Sequence, residues 1–196
     1  MKSFTYHAPD SLSEAFALLS EEAAPSRIMA GGTDLLVQMR RGLRLCDRII
    51  DVKHIPDLSH LSYSPSEGLQ IGAAVSCSQL RGFLEVKRHY PALFDAVSLI
   101  GGTAIQNRAT LGGNLCNAAP SADTIPAMIV LKASCTIGGL QGRRTTAVEE
   151  FCTGPGETVL DGSEILTSIH LPPPKRRTGS SYLRFIPRSE MDIAVA

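Results

Sequence analysis

The sequence has 196 residues, of which 43% are hydrophobic and 19% are charged, so it carries enough apolar residues for a packed core of one or two domains. Basic and acidic residues number 19 each, so the chain has no net positive charge to attract a nucleic acid. Because no apolar stretch approaches the roughly 20 residues of a membrane span and no signal-peptide pattern opens the chain, we expect a cytoplasmic protein.

The first predicted element is a helix over residues 11–20. Ser11 followed by Glu14 is a capping-box pattern, and apolar residues then recur at helical spacing. A short buried strand over residues 27–30 runs into Gly31-Gly32, and a helix can begin at once over residues 34–40. This part of the chain is predicted to be strand, glycine loop and helix.

A second strand is predicted over residues 48–52, and we expect Pro56 to end this first unit. The basic run that precedes the strand, residues 40–44, is typical of a solvent-exposed connection.

The rest of the chain alternates strands and helices around a second glycine-rich segment. Its apolar spacing predicts strands over residues 69–73, 135–137 and 164–170, helices over residues 78–86, 91–100 and 124–132, and an exposed connector at residues 172–174. The second glycine segment also precedes a helix, although less directly than the first.

The five cysteines do not form a pattern typical of disulfides or metal sites. They are odd in number and widely spaced, without a C-x-x-C pair, at Cys46, Cys77, Cys116, Cys135 and Cys152. We therefore predict buried thiols and no metal on this chain, so that any iron–sulfur cluster lies on another chain.

Two glycine segments could bind a pyrophosphate: Ala30-Gly31-Gly32-Thr33-Asp34 and Thr110-Leu111-Gly112-Gly113-Asn114. Glycine permits positive φ and close backbone approach, so several N–H groups can converge on phosphate oxygens. Taken alone, either segment is more typical of a tight turn, but two matched segments favour a diphosphate held from two sides. Neither is a Rossmann fingerprint or a P-loop. Asp123 could accept hydrogen bonds from ribose hydroxyls or simply open the following helix.

These segments resemble the FAD-binding medium subunit of the molybdenum hydroxylase family, which includes xanthine dehydrogenase and carbon monoxide dehydrogenase. The similarity rests on residues 30–36, on residues 71–73 and above all on residues 106–115. It continues through Asp123 with Pro126 and residues 164–166 to Arg188 and residues 192–194.

The resemblance implies an α+β fold of the vanillyl-alcohol-oxidase (PCMH) type, with FAD-binding subdomains at residues 1–54 and 55–196. It implies no catalytic side chain, and Arg184 stands where relatives usually carry a lysine near the flavin. The implied FAD contacts are Ile28, Met29, Ala30, Gly31, Gly32, Thr33, Asp34, Leu35, Ile100, Thr110, Leu111, Gly112, Gly113, Asn114, Asp123, Leu166 and Arg184.

The resemblance also implies an oxidoreductase subunit that carries FAD and transfers electrons within a cytoplasmic heterotrimer. A small subunit with two 2Fe-2S clusters and a large subunit with molybdopterin are the expected partners. Relatives continue beyond the position of Ala196, so we expect the family's C-terminal part on a separate chain or lost by proteolysis. The alternatives are a cofactor-free scaffold and a stand-alone flavin oxidase, although neither glycine segment has the His or Cys that often attaches flavin covalently.

Overall fold

The computed structural model describes residues 2–21 and 25–186, in which helices and strands are interspersed along the chain. The strands are β1 (Thr5–His7), β2 (Ser26–Met29), β3 (Arg48–Asp51), β4 (Leu61–Ser64), β5 (Gly68–Gly72), β6 (Ser134–Gly139), β7 (Gly142–Ala147), β8 (Cys152–Gly154), β9 (Glu157–Thr158) and β10 (Ile165–Leu171). The helices are α1 (Leu12–Ser20), α2 (Leu35–Arg40), α3 (Pro56–Ser59), α4 (Cys77–Gly82), α5 (Leu84–His89), α6 (Pro91–Ser98), α7 (Thr103–Gln106), α8 (Leu111–Asn117), α9 (Thr124–Val130) and α10 (Val148–Phe151).

A parallel sheet of order β1-β3-β2 forms the N-terminal part. Its central strand β3 is buried along its whole length, as expected of a parallel strand covered on both faces. The predicted helix α1 begins where the sequence indicated, because the Ser11 hydroxyl accepts from the backbone N–H of Glu14 at 3.2 Å. The Glu14 carboxylate accepts from the N–H of Asp10 at 3.3 Å, whereas a capping box requires the N–H of the N-cap residue, Ser11.

An antiparallel sheet of order β4-β5-β10-β6-β7 lies in the remainder, and β8 pairs with β9 in a small hairpin. Strand β10 is central, pairing with β5 on one side and β6 on the other. One continuous apolar core joins this sheet to the first, since Leu12 and Ile50 pack in the same cluster as Leu69, Ile71 and Ile169. No helix within residues 2–21 and 25–186 combines the length and the apolar character needed to cross a membrane.

The predicted helix over residues 78–86 is wrong, because two short helices occupy this region. Phe83 adopts an extended ψ of 107° between α4 and α5. Its N–H donates to the Leu80 carbonyl at the end of α4. Pro56 is the first residue of α3, a position where proline is well tolerated.

Several short elements were not predicted, and strand β7 shows why. Its six residues, mostly exposed, have no alternation of apolar and polar side chains, because β7 is an edge strand that pairs with β6 through its backbone. Arg188 and residues 192–194, which contributed to the family resemblance, lie outside the described residues.

Candidate functional site

A cavity of about 1190 Å³ lies between the C-terminal end of β2, the start of α8 and the segment after β9. It exceeds the ~300–1,000 Å³ of typical small-molecule pockets, so it suits a ligand as large as a dinucleotide. All but one of the predicted site residues line it: Ile28, Met29, Ala30, Gly31, Gly32, Thr33, Asp34, Leu35, Ile100, Thr110, Gly112, Gly113, Asn114, Asp123, Leu166 and Arg184. The exception is Leu111, whose side chain is fully buried in the core.

The first glycine segment connects β2 to α2, as predicted, and its two glycines have different roles. Gly32 has a φ of +75°, which side-chain-bearing residues rarely adopt. Gly31 lies against the backbone before the second glycine segment, where an added Cβ would be only 2.1 Å from the Arg108 carbonyl oxygen. The missing side chain of Gly31 therefore lets the two glycine segments meet.

The backbone N–H groups of residues 31–34 have no hydrogen-bond acceptor in the described chain. Buried N–H groups without partners are rare in folded proteins, and Gly31 itself is buried. Residues 32 and 33 are half-buried and Asp34 is exposed, so these four N–H groups in succession run from the buried Gly31 to solvent. At the wall of a cavity they can bind the oxygens of an anionic group.

The second glycine segment forms the N-cap and first turn of α8, a helix that was not predicted, and the predicted helix over residues 124–132 follows it as α9. Thr110 is the N-cap, and its hydroxyl accepts from the N–H of Gly113 at 2.9 Å. Gly112 packs on the second sheet, where a Cβ would lie 2.5 Å from the Ala73 carbonyl oxygen. The Asn114 amide oxygen accepts from the buried Thr124 hydroxyl at 2.6 Å, which fixes the orientation of the amide.

Asp123 contacts the side chains of Tyr182 and Arg184, which lie near the end of the described residues. Its Oδ1 accepts from the Tyr182 hydroxyl at 2.8 Å and lies 3.2 Å from Arg184 Nε. Arg184 also donates from Nη1 to the Leu99 carbonyl at 3.0 Å. Both contacts to Asp123 use one oxygen, and a carboxylate can accept about four hydrogen bonds, so Asp123 retains capacity for ligand hydroxyls.

We expect the contribution of Tyr182 to stability to disappear in strongly alkaline solution. Burial, followed by the hydrogen bond to Asp123, raises the pKa of Tyr182 from 10.0 to about 12. Since the folded-state pKa is raised, the contribution is complete below pH 10.0 and is lost between that pH and about 12. Urea unfolding of the wild type and Tyr182→Phe should show the wild type losing stability relative to the variant in this window. A constant difference would contradict the raised pKa.

Gln106 does not line the cavity but supports its wall, a role that the sequence motif alone did not indicate. Its side chain is 3% exposed and donates to the Ser98 carbonyl at 2.9 Å, while its amide oxygen accepts from the Arg81 guanidinium. Residues 98–101 line the cavity, so Gln106 holds the backbone that carries Ile100 in place. The sequence signal for such a positioning role is a glutamine inside the glycine-rich motif of residues 106–115.

Arg44 is a second residue that sequence reasoning missed, since we expected its basic run to be only a connection. It is half-buried, lines the cavity, and has no hydrogen-bond or ion-pair partner among residues 2–21 and 25–186. Its Nη2 lies 3.5 Å from the position that a Cβ on Gly156 would take. Arg44 therefore supplies a cation between the turn after α2 and the β8–β9 hairpin.

The cysteines match the predicted buried thiols only in part. All five are free; Cys46, Cys77 and Cys135 are buried, whereas Cys116 and Cys152 are half-buried. Burial raises the pKa of Cys135 to about 12, so this thiol stays protonated and is a poor nucleophile near neutral pH. In the described part of the chain, no three His, Cys, Asp or Glu side chains form a group that could hold a metal ion.

Comparison with known proteins places the chain among flavoprotein domains. Residues 2–174 match the family model described as FAD binding domain in molybdopterin dehydrogenase. The chain is 36% identical over 191 residues to the xanthine dehydrogenase FAD-binding subunit of Escherichia coli O157:H7, a match that covers 97% of this chain and 65% of that relative. It is 30% identical over 199 residues to the nicotinate dehydrogenase FAD-subunit of Eubacterium barkeri, covering 100% and 67% of the two chains.

A solved structure of carbon monoxide dehydrogenase from Hydrogenophaga pseudoflava superimposes with a TM-score of 0.93 at 30% identity, over 98% of this chain and 67% of that one. The chain thus spans slightly less than two thirds of the length of the xanthine dehydrogenase relative.

Proposed function

The chain belongs to the family of FAD-binding domains of molybdopterin dehydrogenases, and from this premise we propose that it is the FAD-binding, electron-transferring subunit of a molybdenum hydroxylase. The membership confirms the family resemblance and the predicted α+β fold of the PCMH type. The proposed subdomains are residues 1–54 and 55–196, and the proposed location is the cytoplasm.

The observation that supports FAD binding most strongly is the run of four backbone N–H groups at residues 31–34 without an acceptor in the described chain. They line a cavity of dinucleotide size together with the first turn of α8, whose positive end favours anions. The site therefore offers what a diphosphate needs: four backbone donors in succession, no side chain at the glycines, and the cation of Arg44 on the same cavity.

Each part of FAD has a proposed set of contacts in the cavity. The diphosphate is assigned to residues 30–34 with Thr110, Gly112, Gly113 and Asn114, flanked by Ile28, Met29 and Leu35. Asp123 takes hydroxyl groups, and the rings lie against Ile100 and Leu166, near Arg184. Leu111 anchors α8 in the core beneath the site.

When bound, FAD supplies the redox chemistry, and the protein supplies position and electrostatics. In this proposal no side chain of the chain is an acid–base catalyst. Gln106 fixes the backbone of Ile100, and Asp123 restrains the arginine that stands where a lysine was expected. The Arg184 guanidinium is thereby held at the cavity with a fixed direction, which a flexible ammonium would not have.

The proposed assembly adds a small subunit with two 2Fe-2S clusters and a large subunit with molybdopterin. Electrons pass from the clusters to this chain and then to NAD, a quinone, oxygen or another acceptor. The test is the visible spectrum of the complex purified through this chain, recorded anaerobically before and after addition of the candidate substrate. Bleaching of both flavin and iron–sulfur absorption supports the relay. A complex in which only the iron–sulfur absorption bleaches would contradict it.

We expect Arg44→Ala to weaken the binding of ADP, which carries the diphosphate without the flavin. A hydrogen bond to a charged group contributes about 1.5–3 kcal/mol, so affinity should fall roughly 10- to 100-fold. Titration calorimetry on the cofactor-stripped protein measures this loss, with riboflavin as a probe that should bind unchanged. Arg143→Ala on the exposed edge strand β7 is the matched control. Equal ADP affinity in Arg44→Ala and the wild type would remove Arg44 from the site.

A further inference from the structure

The helix that follows the first glycine segment is joined to the helix that contains the second by a hydrogen bond between side chains. The Gln38 amide nitrogen on α2 donates to the Asn117 amide oxygen at the end of α8, at 2.9 Å and across 79 residues of sequence. Both side chains are half-buried, and both residues line the cavity. We name this contact the α2–α8 bridge.

Each end of the α2–α8 bridge is tied to a glycine segment through the backbone of its helix. The Gln38 N–H donates to the Asp34 carbonyl at 2.9 Å, one helical turn after the first segment. Asn117 is the last residue of α8, whose N-cap is Thr110 of the second segment. At about 1.5 Å per residue, the bridge lies roughly 6 Å along α2 from Asp34 and roughly 10 Å along α8 from Thr110.

The two helices contribute their buried side chains to different apolar clusters. Met39 of α2 packs in a small cluster with Met29 and Ile49 of the N-terminal sheet. Leu111 and Leu115 of α8 belong to the main core. A polar contact between the helices therefore adds a restraint that this apolar packing does not supply.

The α2–α8 bridge is the second point at which the two parts of the site are held together. The glycine segments already meet where Gly31 lies against the backbone of Arg108. One point of contact leaves two helices free to turn relative to each other, whereas two separated points fix the angle between them. A site that is already arranged for its ligand does not lose affinity to ordering when the ligand binds.

We propose that Gln38 and Asn117 are positioning residues for the diphosphate. Their bridge holds the N–H groups of residues 31–34 at the angle to α8 at which both glycine segments bind one diphosphate. Neither residue belongs to the set of FAD contacts proposed above, so this role is additional to that set. The inference rests on the proposed function.

Direct contact with the ligand is the competing role for two amides that line a cavity. The two roles differ in how their effects combine. Residues that act through one shared bond have non-additive effects, so removing the second partner costs nothing more once the first is gone. Two independent ligand contacts would instead give losses of affinity that multiply.

The test is a double-mutant cycle, measured as ADP affinity by titration calorimetry on the cofactor-stripped protein. We expect Gln38→Ala and Asn117→Ala each to weaken ADP binding roughly 2- to 10-fold, as for one neutral hydrogen bond, and the double variant to weaken it no further. FAD affinity should fall in parallel, whereas riboflavin, which has no diphosphate, should bind unchanged. Gln141→Ala, exposed between β6 and β7, is the matched control.

Exchanging the two residues tests the bond itself. Gln38→Asn shortens the side chain by one methylene and should lose affinity as Gln38→Ala does. Gln38→Asn/Asn117→Gln restores the combined length and should recover most of the wild-type affinity. Urea unfolding of the same variants provides the comparison, because a merely structural role would lower the free energy of unfolding without this pattern of loss and recovery in ADP affinity.

The proposal is overturned if both single variants bind ADP as the wild type does, or if the exchange does not recover affinity. It is also overturned if the double variant loses affinity by the product of the two single losses, since each amide would then contact the ligand by itself. A wild type that binds neither ADP nor FAD would contradict the proposed function. A wild type that binds both, beside unaffected variants, would contradict the α2–α8 bridge alone, so the two failures are distinguishable.

Discussion

Gly31→Ala is expected to weaken FAD binding by up to about 100-fold and to destabilise the fold. The new Cβ would lie 2.1 Å from the Arg108 carbonyl oxygen and 2.9 Å from the Ala109 Cα, and these backbone atoms cannot move aside as a flexible side chain could. Overpacking costs about 1–3 kcal/mol, and rigid neighbours place this substitution at the upper end. If about 3 kcal/mol were lost entirely from the free energy of FAD binding, FAD affinity would fall by about 100-fold.

Urea unfolding of the cofactor-free protein and titration with FAD separate the two effects of Gly31→Ala. The matched control is Gly82→Ala, at the end of α4, where an added Cβ meets nothing within 4 Å. There the substitution should be neutral or stabilise by about 0.5–1 kcal/mol, because alanine is the better helix former. Wild-type FAD affinity and stability in Gly31→Ala would show that the two glycine segments do not meet as described.

Asp123→Ala is expected to have the second largest effect. The substitution leaves the Tyr182 hydroxyl without its acceptor and the Arg184 guanidinium, 14% exposed, without its carboxylate. A partly buried donor such as the Tyr182 hydroxyl costs about 1–3 kcal/mol when it loses its acceptor. FAD binding should weaken in addition, because an acceptor for ligand hydroxyls is removed from the cavity and the segment that carries Arg184 loses an anchor.

Asp123→Asn distinguishes the charge from the hydrogen bond. The amide oxygen can still accept from Tyr182, so this variant should retain more stability than Asp123→Ala while lacking the ion pair with Arg184. Urea unfolding without cofactor and FAD titration measure both quantities. If Asp123→Ala matched the wild type in stability and in FAD affinity, the interaction of Asp123 with Tyr182 and Arg184 would contribute neither to folding nor to FAD binding.

The sequence was most informative where a local pattern determines a local structure. The Ser11 cap, the strand before Gly31 and the helix after it are set by neighbours within a few residues, and the structure has them where they were predicted. The division of residues 77–89 at Phe83 was not predictable, because apolar periodicity continues across the break.

For the cavity, the residue motifs predicted which residues line it but not what they do. Gly31 was expected to let the backbone approach a ligand, whereas it also lets the chain approach itself at Arg108. Likewise Asp123 was considered alone, and its pairing with Tyr182 and Arg184 spans about sixty residues of sequence. Arg44 was interpreted as a connection because nothing local distinguishes an arginine beside a cavity from a solvated one.

The most direct test of the central claim is the cofactor content of the purified chain: its visible absorption, and the identity and amount of the molecule released on denaturation. We predict a flavin spectrum and about one FAD per chain, bound through its diphosphate so that FMN and riboflavin do not replace it at equal concentration. A natively folded chain that carries no flavin and does not take up added FAD would contradict the account, and the cofactor-free scaffold would then be the better description.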